Sequence, residues 1–102
     1  MGNLIPKELI EEMNIPKLYE TQDIADPIAY VKLFLDGWTW YITEISIDED
    51  IAFGYVVSPF CSGELGYFSI NEIKSIQNSL GISVEMDVSF KPTKLSTIKK
   101  AS

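Results

Sequence analysis

The stretch Gly37–Glu44, GWTWYITE, is the densest run of large apolar side chains in the chain. It follows Ile28–Leu35, IAYVKLFL, which is rich in strand-forming residues, and Asp36 with Gly37 joins the two runs. An Asp-Gly pair between two such runs favours a two-residue type I′ turn, because that turn needs positive φ at both central positions. The sequence therefore predicts an antiparallel hairpin over residues 28–45.

A two-residue turn also fixes which side chains of the hairpin share a face. The predicted apolar face carries the cross-strand pairs Leu35/Trp38, Leu33/Trp40, Val31/Ile42 and Ala29/Glu44. The predicted mixed face carries Phe34/Thr39, Lys32/Tyr41, Tyr30/Thr43 and Ile28/Ile45. This pattern places both tryptophans in the core and favours core packing over a ligand-stacking platform. The mixed face supplies the first candidate binding residues, which are Tyr30, Lys32, Tyr41 and Thr43.

The rest of the chain reads as short elements around this hairpin. The N-terminal residues 1–14 predict an amphipathic helix that starts at Pro6, and an ordered loop follows over residues 15–27. Strands are predicted at 51–57 and 64–68, and Gly54 marks a bulge or close packing in the first of them. Ser69 and Glu72 form a capping box that opens a helix ending at Gly81, and residues 83–90 alternate as a last strand.

These elements predict an α+β fold with a single antiparallel sheet of four to five strands and two helices packed mainly on one face. We expect residues 1–90 to form a single domain and residues 91–102 to form a flexible, lysine-containing tail. At 102 residues the chain has room for one core and for little else.

The charge of the chain is unevenly distributed. Residues 1–90 hold all 15 acidic residues and four lysines, a net charge of −11, whereas the last twelve residues carry four lysines, a net charge of +4. Phosphates would be repelled by such an acidic body, so we expect no direct nucleic-acid binding. A protein partner with a basic surface, such as a nucleic-acid-binding protein, fits this charge better.

Several site classes have little support in the sequence. There is no histidine and only one cysteine, Cys61, so the usual zinc sites and an activated thiol nucleophile lack their partner residues. The acidic run Asp48–Asp50 lacks the spaced oxygen ligands and the glycine of a calcium loop. We expect no metal and no cofactor. No apolar run is long enough for a membrane span and no signal-peptide pattern opens the chain, which predicts a cytoplasmic protein without membrane contact.

Two glutamates suggest an alternative, enzymatic function. Glu44 and Glu64 stand at strand ends among aromatic residues, an environment in which a carboxylate pair can act as acid and base or bind a divalent cation. Structural hydrogen bonding is the favoured interpretation, because two carboxylates among 15 acids are a weak signal. With Tyr67, these glutamates complete the candidate binding residues.

Several segments together resemble a known bacterial family, domain of unknown function 2958. They are Leu18-Tyr19 with Thr21, Asp26-Pro27, Lys32 with Phe34, Trp38–Tyr41 with Thr43-Glu44, Phe53–Val56 and Glu64–Ser69. The resemblance covers about residues 15–92. Members of that family are typically encoded on plasmids, phages and other mobile elements, so the resemblance implies an accessory role there, and it identifies no catalytic residue.

Size, charge and resemblance together predict a small, acidic, non-enzymatic interaction protein. We expect an accessory or inhibitory factor of a mobile genetic element that acts on a host protein. Its acidic surface would occupy the channel in which the host protein binds nucleic acid. Two alternatives stay open: the acidic surface serves only solubility, or the protein is a small enzyme that uses Glu44 and Glu64. The oligomeric state is not predicted.

Overall fold

The computed structural model describes residues 4–101. The elements are α1 (Lys7–Met13), β1 (Ile28–Ala29), β2 (Val31–Leu35), β3 (Trp38–Ile45), β4 (Ile51–Ser58), β5 (Cys61–Ser69), α2 (Ile70–Lys74), β6 (Glu85–Met86), β7 (Thr93–Lys94) and α3 (Leu95–Ala101). An antiparallel sheet has the strand order β5-β4-β3-β2-β6, and β1 pairs with β7 in a separate two-stranded sheet. The predicted α+β class with an antiparallel sheet of four to five strands is confirmed, but residues 4–101 form three helices and not two, and the β1–β7 pair is a second sheet where a single one was predicted. Residues 1–3 of the predicted first helix segment and Ser102 of the predicted tail lie outside the described residues.

The β2–β3 hairpin has the predicted register. Its five cross-strand pairs run from Val31 with Ile42 to Leu35 with Trp38. The predicted type I′ turn is wrong, because only Asp36, with φ 52°, has positive φ and Gly37 does not. Glycine is still required there for space, since an added Cβ would lie 2.8 Å from Cγ of Pro59.

A β-bulge interrupts the end of β3. Its register against β4 shifts between Ile42, which pairs with Gly54, and Glu44, which pairs with Phe53. The backbones are so close here that a Cβ on Gly54 would lie 1.7 Å from the carbonyl oxygen of Tyr41. The prediction that Gly54 marks a bulge or close packing is confirmed.

The bulge decides on which side of the sheet Glu44 lies. An extra residue in one strand sends the side chains after it to the opposite face. The uninterrupted register had predicted that Glu44 shares a face with Trp40 and Ile42. Because of the bulge, Glu44 instead shares a face with Phe53. Ala29 also lies away from the predicted apolar face, because β1 leaves the hairpin to pair with β7.

The first face of the sheet carries the main core. Its sheet residues are fully or nearly buried, and they pack against isoleucines of α1, of α2 and of the segment just before α1. The set includes Leu33, Trp40, Ile42, Ile45, Ile5, Ile10, Ile70 and Ile73. Trp38 is an exception to the prediction that both tryptophans lie in the core: it stacks on Trp40 with ring centroids 5.9 Å apart, but it is 40% exposed at the start of β3.

The second face carries a smaller core that α3 covers. Leu95 and Ile98 of α3 are buried with Tyr55 and Ala29, and the half-buried Tyr41 packs beside them. The predicted packing of the helices mainly on one face is therefore not confirmed, since α1 and α2 contact the first core and α3 the second. Residues 93–101 of the predicted flexible, lysine-containing tail form β7 and α3, and Leu95 and Ile98 of this segment are buried in the second core.

Two predicted elements are shorter than expected. Ser69 caps α2 by accepting a hydrogen bond from the Glu72 N–H at 3.2 Å, as predicted, but the helix ends at Lys74 and not at Gly81. Asn78 accounts for the difference, because its side-chain oxygen accepts from the N–H groups of Leu80 and Ile82 and holds a loop instead. Of the predicted last strand, residues 83–90, only Glu85–Met86 pair in the sheet.

No helix within residues 4–101 is long and apolar enough to cross a membrane.

Candidate binding cavity

A cavity of about 500 Å³ opens on the second face of the sheet, between the loop 21–27, the strands and the start of α3. We call it the Tyr67 cavity. Its apolar lining comes from Ile24, Ala25, Pro27, Phe53, Leu65, Tyr67 and Leu95. Its polar lining comes from Thr21, Gln22, Asp26, Glu44, Ser96 and Lys99. Concave, mainly apolar sites with a few polar groups are the usual form of binding sites in proteins.

Glu44 forms part of the cavity wall and is only 2% exposed. Its Oε1 accepts a hydrogen bond from the Tyr19 N–H at 2.8 Å. Its Oε2 accepts from the Thr21 N–H at 2.9 Å and from the Thr21 hydroxyl. A buried carboxylate with three protein donors is well satisfied, so Glu44 fastens the loop 15–27 to the sheet.

The anchor at Glu44 also holds an unusual backbone conformation. Tyr19 has a φ of 74°, in a region that bulky side chains rarely adopt. The Tyr19 ring is 60% exposed and lies 6.2 Å from the ring of Tyr67. The charge-assisted bond to the Tyr19 N–H therefore stabilises a strained turn that presents an aromatic ring beside the cavity.

Tyr67 lies at the rim of the cavity and is 53% exposed. Its ring packs on Phe53 with centroids 4.7 Å apart and a tilt of 55°. Desolvation raises the pKa of Tyr67 above its ordinary value, and the neighbouring Tyr19 and Glu44 raise it further. The hydroxyl is therefore a neutral donor and acceptor across the physiological pH range.

The opposite wall is held by contacts between the loop and α3. Asp26 accepts hydrogen bonds from the Ser96 N–H at 2.9 Å and from the Ser96 hydroxyl at 2.6 Å. These two bonds lower the pKa of Asp26, with smaller contributions from Lys94 and Lys99. The Leu95 N–H donates to the carbonyl oxygen of Pro27 at 3.0 Å. The start of α3 is thus fixed to the loop that lines the cavity.

Of the predicted site residues, the structure brings Glu44 and Tyr67 together and separates Glu64 from both. Glu64 is exposed and lies opposite Val56, whose side chain packs against the first core. Directly opposed residues of neighbouring strands share a face, so Glu64 is on the first face and Glu44 on the second. Glu64 does not line the Tyr67 cavity. The two glutamates therefore have no common site.

The four residues of the predicted mixed face do not form a shared open surface. Tyr30 packs against the first core, and Thr43 is fully buried with its hydroxyl donating to the Phe53 carbonyl at 3.0 Å. Lys32 forms an ion pair with Asp87 at 3.6 Å. Tyr41 contacts the rings of Tyr55 and Phe90 and lines a smaller cavity of about 220 Å³ at the end of α3.

Sequence reasoning missed most of the cavity wall. Thr21, Asp26 and Pro27 belong to the segment that was predicted as an ordered loop and given no part in a binding site. Leu95, Ser96 and Lys99 belong to the segment that read as a tail. The spacing of Leu95 and Ile98, which puts two apolar residues on one helical face, was the available signal.

Metal-ligating groups are not clustered in the part of the chain that the structure describes: no three Cys, Asp or Glu side chains are arranged to hold an ion. Cys61 is half-buried at the start of β5.

Comparison with known proteins identifies the family of the chain. The family model described as "Protein of unknown function (DUF2958)" matches residues 4–101. No curated protein and no solved structure matches the chain significantly. The matched range includes both cores, the loop 15–27 and α3, and so every residue that lines the cavity. The chain therefore belongs to the DUF2958 family.

Proposed function

We propose that this protein is a non-enzymatic binding protein that acts as an accessory or inhibitory factor of a mobile genetic element. In this proposal it acts in the cytoplasm on a host protein, which it binds at the Tyr67 cavity. The observation that carries the proposal is the rim of the cavity, where Tyr19, Ile24, Leu65 and Tyr67 are each at least half exposed. Clustered exposed apolar and aromatic side chains mark binding surfaces, and tyrosine is a frequent anchor residue in interfaces.

The hydrogen bonding of the cavity favours binding over catalysis. Both oxygens of Glu44 are occupied by donors of Tyr19 and Thr21, and both oxygens of Asp26 by Ser96. An acid or base must be within reach of a proton on the substrate, and these carboxylates face protein donors instead. Glu64 lies on the other face of the sheet. The carboxylates of Glu44 and Asp26 support the walls of the Tyr67 cavity, and its apolar rim is left as the surface that contacts a partner.

The overall charge supports a basic partner. The chain has a net charge of −7, and the acidic residues outnumber the lysines by 15 to eight. Opposite charge on a partner speeds association and disfavours wrong partners. A host protein that binds nucleic acid has such a surface, and an acidic protein can compete for it. The placement on a mobile element is supported by the likeness to the DUF2958 family alone.

A capture experiment with matched variants tests this proposal. Tagged wild-type protein, Tyr67→Ala and Phe60→Ala are incubated with bacterial lysate at about 50 mM and about 500 mM NaCl, and bound proteins are identified by mass spectrometry. Phe60 is the control because it is 90% exposed on a turn and does not line the cavity. We expect wild type and Phe60→Ala to capture a basic nucleic-acid-binding protein at low salt, and Tyr67→Ala to capture roughly tenfold less.

Two results would overturn the proposal. One is capture of no basic nucleic-acid-binding protein at either salt concentration, which would leave solubility as the role of the acidic surface. The other is equal capture by Tyr67→Ala and wild type, which would remove the cavity from the interface.

A further inference from the structure

β5 is an edge strand with a free outer side. It pairs with β4 on one side only, and within residues 4–101 no other strand lies beside it. No backbone hydrogen bond joins Glu64–Phe68 to any described segment other than β4. Every second residue of such a strand directs its N–H and C=O groups away from the sheet, where another chain can pair with them.

The two edges of the sheet differ in length and protection. The other edge, β6, has two residues, whereas β5 has nine. Natural edge strands are usually protected by lysine, proline, bulges or shortness. The segment Glu64–Ser69, ELGYFS, contains neither lysine nor proline and has a single charge. The irregular part of β5 is confined to its start, near Gly63 with its φ of 134° and a register shift beside Val56.

The free edge and the Tyr67 cavity adjoin each other through two side chains. Leu65 and Tyr67 belong to β5, line the cavity and are 50% and 53% exposed. A strand added to β5 would lie about 4.8 Å from it, and its alternate side chains would stand beside Leu65 and Tyr67 on the second face. A paired strand would therefore direct every second side chain toward the cavity.

We infer that the partner binds by strand addition: an extended basic segment pairs antiparallel with Glu64–Phe68 and places an apolar side chain in the Tyr67 cavity. This inference rests on the proposed function and adds the mode of binding to it. Addition of a peptide strand to a sheet edge takes its affinity from main-chain hydrogen bonds and its specificity from pockets for alternate side chains.

The side chains expected in the partner's segment follow from the two faces of the sheet that it would contact. On the second face it meets the apolar rim of the Tyr67 cavity, because the carboxylates of Asp26 and Glu44 are already hydrogen-bonded within the protein. On the first face it meets exposed Glu64. An alternating segment with apolar residues toward the cavity and lysine or arginine toward Glu64 fits both faces. A second copy of this chain fits less well, because each copy has a net charge of −7.

The probe for the test is a fluorescent seven-residue peptide with lysine at the odd positions and valine, leucine and phenylalanine at the even positions. An acidic counterpart replaces each lysine with glutamate. Two further versions carry N-methyl groups on the amides of either the odd or the even residues. Only one of these two sets of amides donates to β5 in a paired strand, so the other version is its matched control.

Fluorescence anisotropy with wild-type protein, Leu65→Asp and Leu80→Asp measures the affinities, and amide hydrogen exchange maps the site. Leu80 is the control because it is 81% exposed and does not line the cavity. We expect one methylated peptide and the acidic peptide to bind at least roughly tenfold more weakly than the basic peptide, and the other methylated peptide to bind about as well. Leu65→Asp should weaken binding by a similar factor and Leu80→Asp should not. Amides within residues 64–68 should exchange more slowly in the complex.

Each contrary outcome has a distinct meaning. If the basic peptide binds and Leu65→Asp weakens it, but both methylated peptides bind equally well, strand addition is wrong while the cavity remains the docking site. If the acidic peptide binds as tightly as the basic one, the inference that the partner segment is basic is wrong. Sedimentation equilibrium that shows a dimer lost in Leu65→Asp would assign the edge to a second copy and overturn the inference. Absence of binding by every peptide, together with unchanged capture by Tyr67→Ala, would end both proposals.

Discussion

At the scale of single residues, Glu44 shows how burial changes the role of a charged side chain. An unpaired carboxylate in the protein interior is unfavourable by several kcal/mol, which is why buried charges have partners. Glu44 is 2% exposed and accepts three hydrogen bonds, two of them from backbone N–H groups. These hydrogen bonds hold the loop 15–27 against β3, and that loop supplies one wall of the Tyr67 cavity.

We expect Glu44→Gln to reduce the free energy of unfolding by about 1–3 kcal/mol, because an amide has one acceptor oxygen where the structure offers donors to both. Glu64→Gln is the matched control, since Glu64 is exposed, and it should change stability by less than about 0.5 kcal/mol. Urea denaturation followed by tryptophan fluorescence measures both. Equal stability of the two variants would show that the bonds to Tyr19 and Thr21 do not hold the loop.

At the scale of elements, α3 is the segment whose structure depends most on its neighbours. It has seven residues, and an isolated helix of that length is unstable in water. Leu95 and Ile98 bury their side chains against Tyr55, and Ser96 bonds to Asp26 at the first turn. Tertiary contacts thus make a helix from a short, lysine-rich segment.

We expect Leu95→Ala to reduce the free energy of unfolding by about 2–5 kcal/mol, the usual range for a buried leucine. Thr97→Ala, an exposed change in the same helix, is the control and should have little effect. Thermal and chemical unfolding measure the difference, and hydrogen exchange over residues 93–101 shows whether the helix is lost. A Leu95→Ala protein as stable as wild type would favour the flexible tail that the sequence predicts.

At the scale of the whole molecule, three aspartates in loops make the stability of the fold depend on pH in the acidic range. Hydrogen bonds from serine hydroxyls are the main cause that lowers the pKa of Asp26, Asp48 and Asp87, from Ser96, Ser46 and Ser89 respectively. A carboxylate with a lowered pKa in the folded state stabilises the protein above its unfolded-state pKa. That contribution is lost as the pH falls through the folded-state value.

We therefore expect the stability of the protein to fall on acidification below the ordinary aspartate pKa of 3.8, because folding then requires proton release from these groups. NMR titration of the aspartate carboxyl carbons measures the three pKa values. Ser96→Ala should raise the pKa of Asp26 and leave that of Asp48 unchanged, since Asp48 bonds to Ser46 in another loop. An unchanged pKa of Asp26 in that variant would show that the bond to Ser96 is not formed in solution.

The sequence by itself determined the α+β class, the β2–β3 register and the cap of α2. These features depend on local signals, namely the Asp36-Gly37 turn, the alternation of apolar residues with a period of two, and a serine three residues before a glutamate. A local signal favours the same local structure whatever fold surrounds the segment. It identified Glu44 and Tyr67 as candidates for the same reason, because both stand beside aromatic residues in predicted strands.

Only the tertiary structure decided which of these residues meet. The bulge at Thr43 puts Glu44 on the second face, and the donors that satisfy it come from Tyr19 and Thr21, 25 and 23 residues away in the chain. Asp26 and Ser96, which close the cavity wall, are 70 residues apart. Such contacts have no periodic signature, because they depend on the packing of a loop and a short helix on a finished sheet. The cavity therefore depends on the assembled tertiary structure, whereas the β2–β3 hairpin is determined by the local sequence.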